Sequence, residues 1–249
     1  NKLKIKDGDF MKKFMALLLV AGMTLSLTAC GGSTDTAKTD QADGKDTFTV
    51  GFDQDFPPFG YVGDDGEFTG FDIEMATECA ARMGKKIVLQ PIDWDAKDME
   101  LEAGTIDCIW NGFTMNGRED QYTWTDPYMD NSQVVVVKKD SGINTLADLA
   151  GKVVEVQKES AAETALNDEE HADLMASFAQ LLSVGEYNTA FMDLEQGAVE
   201  AVAIDIGVAQ YQIDKREEGA YVMLDGDDNK LASEQYAVCL LYTSDAADD

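Results

Sequence analysis

The sequence predicts an α/β protein of two lobes, because two successive series of β-strand and α-helix patterns follow each other along the chain. Short apolar runs rich in β-branched residues, such as "FTVGF" (48–52) and "QVVVVKK" (133–139), predict strands. Stretches with helical spacing follow such runs, as in 71–84. Since 45% of the 249 residues are hydrophobic, the chain can bury a substantial core. In each series we therefore expect a parallel sheet covered by helices.

The first series begins with the strand "FTVGF" and a turn-rich segment. The stretch 71–84 predicts a helix that ends at Gly84, since glycine is common just after the last helical turn. "KIVLQPI" (86–92) predicts the second strand, "DAKDMELEAG" (95–104) a short helix and "IDCIW" (106–110) the third strand.

The second series begins with the strand "QVVVVKK". The elements that follow are the turn "LADLAG" (146–151), the strand "KVVEV" (152–156), a helix over 160–168, a helix from about Tyr187, the strand "AVAI" (201–204) and a helix over 206–215. Ser160 and Glu163 have the spacing of a capping box. Ligands of open parallel sheets bind beyond the carboxyl ends of the strands, so the residues that follow strands are candidates for a site.

Charge and composition exclude several functions. The chain has 48 acidic and 19 basic residues, a net charge of -29, which argues against binding nucleic acid or an anionic lipid surface. Its single histidine, His171, argues against a histidine-based zinc site or catalytic triad. We expect no metal, no cofactor and no catalytic residue.

The N-terminal part has the pattern of a secretory signal. Two lysines follow Met11, and an apolar run over 14–29 leads to Cys30. "LTAC" (27–30) resembles a bacterial lipobox, which predicts a signal peptide at 11–29 and lipidation of Cys30. The alternative is a transmembrane anchor, for which the run is short, since about 20 apolar residues are needed. Residues 1–10 are interpreted as translated upstream sequence, and 30–46 as the lipidated cysteine and a flexible tether.

Six stretches in a fixed order carry a resemblance to a known family: "GFDQDFPPF" (51–59), "GEFTGFDIEMA" (66–76), "DW" (93–94), "GTIDCIWNGFTMNGRED" (104–120), "YTWTDPYMD" (122–130) and "LADLAGKVVEVQKESAAE" (146–163). Together they resemble the extracellular solute-binding proteins of polar amino acid ABC transporters, over about residues 46–238. The resemblance implies a two-lobe, periplasmic-binding-protein-like (type II) fold with a hinge of two crossing strands. Lobe 1 would span 47–130, lobe 2 131–232, and the returning crossing strand 233–238.

The resemblance also implies how the head of an amino acid is held. Arg118 matches the arginine that binds the ligand carboxylate, and Asp205 the aspartate that pairs with the α-ammonium group. Thr114, Asn111 and Gly112 match positions that supply a hydroxyl and main-chain groups. The alternatives are a surface Arg118 paired with a neighbouring acid, Glu119 or Asp120, and Asp205 as an N-cap. Many members have one more residue between the threonine and the arginine, so the turn is shorter here.

Further matches lie around this head group. Ser160 and Ala161 open a helix across the cleft, where Glu159 replaces a glycine of the family; a plain N-cap is the other interpretation of Ser160. Phe56 and Trp94 match the aromatic pair that holds the ligand side chain. Asp53 matches an acid found in members that bind basic or amide side chains, which favours a polar or cationic side chain. Trp110 lines the cleft or packs in the core, with the core favoured.

The resemblance implies a monomeric receptor that delivers an L-amino acid to the permease subunits of an ABC transporter. It would be extracytoplasmic and anchored to the bacterial cell membrane through the lipid on Cys30. The alternatives are an enzyme on the same scaffold, such as a cyclohexadienyl dehydratase, and the ligand-sensing domain of a receptor. Residues 239–249 are interpreted as a non-native tail, with the native C-terminal part of lobe 1 missing.

Overall fold

The computed structural model describes residues 46–224 and 226–240. The predicted signal peptide, Cys30, the tether before Asp46 and the tail after Leu240 lie outside these ranges. Among the described residues, no helix combines the length and the apolar character needed to span a bilayer.

The described elements follow the predicted order and add several short ones. The helices are α1 (Phe71–Arg82), α2 (Lys97–Glu102), α3 (Ala161–Leu166), α4 (Ala172–Ser177), α5 (Tyr187–Gln196) and α6 (Ile206–Asp214). The strands are β1 (Thr47–Phe52), β2 (Asp55–Phe56), β3 (Gly60–Val62), β4 (Phe68–Thr69), β5 (Lys86–Pro91), β6 (Cys108–Ile109), β7 (Thr123–Trp124), β8 (Met129–Lys138), β9 (Val153–Gln157), β10 (Gln180–Val184), β11 (Ala201–Asp205), β12 (Tyr221–Leu224), β13 (Ala232–Tyr236) and β14 (Cys239–Leu240). Short 3-10 turns occupy Trp94–Ala96, Leu146–Leu149, Glu169–His171 and Asp227–Asn229.

The first lobe is built on a sheet with the strand order β5-β1-β6-β14-β7. Its centre is parallel as predicted, because Val50 of β1 lies opposite Leu89 of β5 and Cys108 of β6. The prediction of a wholly parallel sheet is wrong at the other edge, where β14 pairs antiparallel with both β6 and β7. Between β7 and β14 the chain passes through the whole second lobe, and β14 follows directly after the crossing strand β13. It is therefore not reached through a crossover helix packed on this sheet, which is what usually makes neighbouring strands parallel. Cys239 and Leu240 therefore form part of the described sheet.

The second lobe is built on a sheet with the strand order β10-β9-β11-β8-β12, and β13 also pairs with β8. Strands β10, β9 and β11 are parallel, whereas β11, β12 and β13 are all antiparallel to β8. The prediction of a parallel sheet is thus wrong for this half as well. The four valines Val134–Val137 of β8 are fully buried because both faces of the sheet are covered.

Strands β8 and β13 cross between the two lobes. In their antiparallel pairing, Asn131 lies opposite Glu234 and Gln133 opposite Ala232. Strand β8 follows directly from the first lobe, and β13 leads back to β14 of the first sheet. The predicted fold class is confirmed: two α/β lobes joined by a hinge of two crossing strands.

A three-stranded hairpin sheet formed by β2, β3 and β4 lies in the segment predicted only as turns. Phe56 and Phe59 from this segment pack into a hydrophobic cluster with Tyr187, Phe191 and Tyr236. Because most of this cluster belongs to the second lobe, the segment of the first lobe between β1 and α1 packs against the second lobe.

Candidate functional site

The carboxyl ends of strands from both sheets meet at one pocket. Its lining includes Asn111, two residues after β6, Gln157 at the end of β9 and Asp205 at the end of β11. The complete lining is Phe56, Trp94, Asn111, Gly112, Phe113, Thr114, Arg118, Gln157, Ser160, Ala161 and Asp205. Nine of the ten ligand-binding residues predicted from the sequence thus face one cavity; the tenth, Asp53, lies beside it.

Arg118 is held across the pocket by uncharged groups. Its Nη1 donates to the carbonyl oxygen of Thr114 at 3.2 Å, and its Nη2 donates to Oγ1 of Thr164 in α3, also at 3.2 Å. The guanidinium carbon lies 5.4 Å from the centre of the Phe113 ring, a cation–π arrangement. Within the described ranges Arg118 forms no ion pair, so neither Glu119 nor Asp120 neutralises it. Its charge is oriented and remains available to an anion.

The loop around Gly112, which supplies main-chain groups to the pocket, is held in place by hydrogen bonds to Asp72 of α1. The N–H of Gly112 donates to Oδ2 of Asp72 at 2.6 Å, and the hydroxyl of Tyr128 donates to the same oxygen at 2.9 Å. Burial raises the pKa of Asp72 to about 7. Asp72 lies in the stretch "GEFTGFDIEMA" (66–76), and no role in the site was predicted for this residue from the sequence. Its carboxyl group positions the loop.

Gly112 is a glycine for two reasons. Its φ of 58° lies in the left-handed region, and a Cβ there would lie 3.0 Å from Cε1 of Phe56 and 3.0 Å from Cε2 of Tyr236. A glycine thus allows these aromatic side chains to pack closely beside the pocket.

The preceding Asn111 is buried, and its Oδ1 has no hydrogen-bond partner among the described residues.

Asp205 is the one acidic side chain among the described residues that line the pocket. It occupies the N-cap position of α6, but its side chain makes no capping hydrogen bond. Its Oδ1 instead accepts hydrogen bonds from Asn131 Nδ2, Gln133 Nε2 and the Tyr236 hydroxyl, at 2.7, 2.6 and 2.7 Å. Burial, followed by the nearby charge of Glu234, raises the pKa of Asp205 to about 7. All three bonds end on Oδ1, which leaves Oδ2 outside this network.

Three aromatic residues form walls of the pocket. The rings of Trp94 and Phe113 meet edge to face, with centres 5.2 Å apart. Phe56 contributes the third aromatic surface and packs 6.1 Å from the ring of Tyr187. These rings give the pocket an apolar side next to its charged end.

Asp53 does not line the pocket itself. Its Oδ2 accepts a hydrogen bond at 2.6 Å from Nε2 of Gln157, which does line it. Burial raises the pKa of Asp53 to about 6. Asp53 lines instead a neighbouring depression that also contains Asp55, Asp93, Asp95, Glu100 and Glu186. Asp53 therefore contacts the pocket only indirectly, through its hydrogen bond to Gln157, and adds its charge to the neighbouring acidic depression.

Ser160 is the N-cap of α3, which was one of the two interpretations of this residue from the sequence. Its Oγ accepts a hydrogen bond from the N–H of Glu163 at 3.1 Å. In a capping box, the Glu163 carboxylate would accept from the N–H of Ser160. Here it accepts instead from the N–H of Glu159, at 2.6 Å, so only one of the two predicted capping-box bonds forms. Glu159 has a left-handed φ of 57°, at the position where the family has glycine.

Two lining residues were not predicted, and one candidate lies elsewhere. Phe113 and Gln157 line the pocket. The position of Gln157 at the end of a strand could have revealed it, and Phe113 stands between two predicted residues. Trp110 packs in the core with Val50 and Cys108, as favoured.

Within the described ranges, no group of three or more His, Cys, Asp or Glu side chains is placed to hold a metal ion.

Residues 48–196 match the family described as bacterial extracellular solute-binding proteins, family 3. This chain belongs to that family. The arginine-binding extracellular protein ArtP of Bacillus subtilis is 36% identical over 148 residues, which cover 59% of this chain and 56% of ArtP. The L-cystine-binding protein TcyJ of Escherichia coli K12 is 31% identical over 194 residues, 77% of this chain and 69% of TcyJ. The chain thus spans little more than half the length of ArtP.

Solved structures in this family share the fold. The substrate-binding protein of an ABC uptake transporter from Streptococcus pneumoniae, solved with bound histidine, superposes with a TM-score of 0.73 at 33% identity. The match covers 78% of this chain and 79% of that protein. These relatives are binding proteins, and the family name places its members outside the cytoplasm.

Proposed function

We propose that this protein binds a free L-amino acid in the pocket between its lobes and delivers it to the permease of an ABC transporter. The observation that carries the proposal is that one guanidinium and one carboxylate, each held by neutral groups, face the same buried cavity. A zwitterion loses its hydration in such a cavity and needs a partner for each of its charges. Arg118 is the partner of the α-carboxylate and Asp205 that of the α-ammonium group.

The remaining predicted residues complete the site. Thr114, the main-chain groups of Asn111 and Gly112, and Ser160 with Ala161 surround the ligand head, while Phe56 and Trp94 pack against its side chain. A polar or cationic side chain is favoured, because the aromatic walls lead towards Gln157, Asp53 and the acidic depression. The names of ArtP and TcyJ, which bind arginine and cystine, support a polar ligand.

We further propose that the protein is a receptor and not an enzyme. An enzyme needs an acid or base free to act on its substrate. Both oxygens of Asp53 are bonded, to Gln157 and to the N–H of Asp55, and Asp205 is the partner proposed for the ammonium group of the ligand. The receptor works as a monomer on the outer side of the cell membrane, held there by a lipid on Cys30, and closure of its lobes around the ligand presents it to the permease subunits.

Calorimetry on the full chain tests the clamp. The twenty common L-amino acids and L-cystine are first screened by thermal shift, since a ligand that binds the folded state raises the melting temperature. For the amino acid with the largest shift, Arg118→Ala leaves a buried carboxylate half paired, which costs about 2–5 kcal/mol, or a loss of affinity of about 30-fold or more.

Arg82→Ala is the matched control. Arg82 ends α1 with a side chain that is 79% exposed and paired with Glu78, and it does not line the pocket. Its removal is expected to leave the affinity unchanged. An Arg118→Ala protein that binds as tightly as the Arg82→Ala control would show that Arg118 is not the carboxylate partner.

A further inference from the structure

A second acidic side chain stands directly behind Asp205, on the crossing strand β13. Oε1 of Glu234 accepts hydrogen bonds at 2.7 Å from Thr114 Oγ1, Asn131 Nδ2 and Gln133 Nε2. The last two nitrogens are the same ones that donate to Oδ1 of Asp205. Each amide thus divides its two N–H groups between the two carboxyl groups, which brings both acidic oxygens within 2.7 Å of one nitrogen.

Among the described residues, no cation donates a hydrogen bond to this pair. Asp205 is 3% and Glu234 7% exposed, and the donors described above are all neutral amides or hydroxyls. Two ionised carboxylates so close together in a buried site repel each other, which disfavours simultaneous ionisation. The carboxyl group of Asp205 accordingly has its pKa raised to about 7 by burial and by Glu234.

The surroundings do not neutralise the pair either. Arg118 lines the cavities on both sides of it, but its guanidinium donates to Thr114 and Thr164 and not to either carboxyl group. Other titratable groups lie near the pair. Tyr187 and Tyr236 both interact with the two acids, Asp53 interacts with Tyr187, and Tyr128 with Tyr236. Asp168, Glu170 and His171 line the same cavity as Glu234. Tyr187 and Tyr236 are phenols whose pKa values burial raises well above the usual value, so both are neutral, and Tyr236 donates to Asp205.

We propose that Asp205, which shares two amide donors with the carboxyl group of Glu234, holds a proton in the free protein and releases it when the ammonium group of an amino acid binds. This inference rests on the proposed function. The ammonium group supplies the positive charge that the proton supplied before, and the proton passes to the solvent, so the charge within the site stays balanced. Glu234 is therefore a positioning residue: it acts on the ligand through Asp205. The affinity for an amino acid then rises with pH up to about neutrality.

Titration calorimetry of the full chain measures the proton directly. The amino acid with the largest thermal shift is titrated at pH 6 in two buffers that differ in ionisation enthalpy, and the difference in heat gives the number of protons released. We expect between about one half and one proton, and an affinity that rises by up to about tenfold per pH unit between pH 5.5 and 7. This measurement needs no variant.

Glu234→Gln then assigns the proton. Glutamine keeps the oxygen that accepts from Thr114 and removes the charge of Glu234, whereas burial, the larger cause of the raised pKa of Asp205, remains. We therefore expect proton release at pH 6 to fall below that of the wild type, and the rise of affinity with pH to move to lower pH. Glu155→Gln is the matched control: Glu155 is also buried, its pKa is raised to about 6 by burial, and it does not line the pocket. It should release the same number of protons as the wild type.

The outcomes separate the two proposals. Binding of an amino acid without proton release, or a Glu234→Gln protein that releases as many protons as the wild type, would overturn the inference and leave the receptor function in place. If none of the screened amino acids shifts the melting temperature or gives binding heat, the receptor function is wrong, and the inference fails with it.

Discussion

Substitution of Glu159 separates two opposing contributions to the stability of the protein, a strained backbone and an ion pair between the lobes. Its backbone has a left-handed φ of 57°, and its Oε2 lies 3.1 Å from Nζ of Lys97 in α2, on the other lobe. The Lys97 side chain is only 4% exposed, whereas that of Glu159 is 47% exposed. The residue thus combines an unfavourable backbone conformation with an ion pair that reaches a buried ammonium group.

The magnitudes of both contributions can be estimated. A left-handed conformation costs a residue other than glycine roughly 1–2 kcal/mol. Removing one partner of a fully buried ion pair costs about 3–5 kcal/mol, and we reduce this to about 2 kcal/mol because water reaches Glu159. Glu159→Ala keeps the backbone cost and loses the ion pair, so the free energy of unfolding should fall by about 2 kcal/mol. Glu159→Gly loses the ion pair but relieves the backbone, so its loss should be smaller by about 1 kcal/mol.

Urea denaturation of the full chain measures these differences, in the wild type and in a Lys97→Met background. In that background the loss caused by Glu159→Ala should shrink, because no ammonium group remains to be paired, while glycine should keep its advantage over alanine. The control is Asp95→Asn, which breaks the more exposed Lys158–Asp95 pair of 2.6 Å and should cost no more than about 1 kcal/mol.

Two results would refute the reasoning. Equal stabilities of the Glu159→Ala and Glu159→Gly proteins would show that the left-handed backbone carries no cost. An undiminished effect of Glu159→Ala in the Lys97→Met background would show that the ion pair contributes nothing.

Two further substitutions test the loop of the pocket. Burial raises the pKa of Asp72 to about 7, so the folded protein keeps a proton that the unfolded chain loses above about pH 4, and this group's contribution to stability falls as the pH rises between these values. Asp72→Asn keeps the oxygen that accepts from Gly112 and should therefore gain melting temperature relative to the wild type from pH 4 to 7; a difference independent of pH would contradict this. Gly112→Ala places a methyl group 3.0 Å from Phe56 and Tyr236 and should cost about 1–3 kcal/mol in urea denaturation. Gly117→Ala, with a φ of 76° but open space around it, should cost only about 1 kcal/mol, and equal losses would argue against crowding.

The sequence predicts the order of the elements and the location of the pocket well, for a simple reason. A helix predicted from about Tyr187 begins at that residue, and the strand predicted over 201–204 ends one residue later, at Asp205. Once strands of two α/β series are known, their carboxyl ends mark the edge at which a ligand binds. The family resemblance then selects residues at those ends, and all but Asp53 share one cavity. Their contact with a ligand stays a prediction.

The residues behind the pocket could not be predicted in the same way. The hydrogen bonds of Glu234 join it to Thr114 and Gln133, which lie 120 and 101 residues earlier in the chain. Periodicity indicates which residues of a strand share a face, but it does not indicate which distant strand lies opposite or in which register. The antiparallel pairing of β13 with β8 depends on how the two lobes are joined, and no local pattern contains that information.

The distribution of neutral partners argues for a ligand that carries both charges. Arg118 is oriented by a carbonyl and a hydroxyl oxygen, and Asp205 by two amides and a phenol, so neither charge is neutralised by its supports. A solute with only a carboxylate would leave the proton on Asp205 and form no ion pair there. A solute with only an ammonium group would enclose the guanidinium without an anion and leave a buried charge unpaired, which is costly. An amino acid zwitterion, whose ammonium and carboxylate groups are both attached to the α-carbon, pairs with Arg118 and Asp205 at once, and we expect this requirement to select amino acids over related acids and amines.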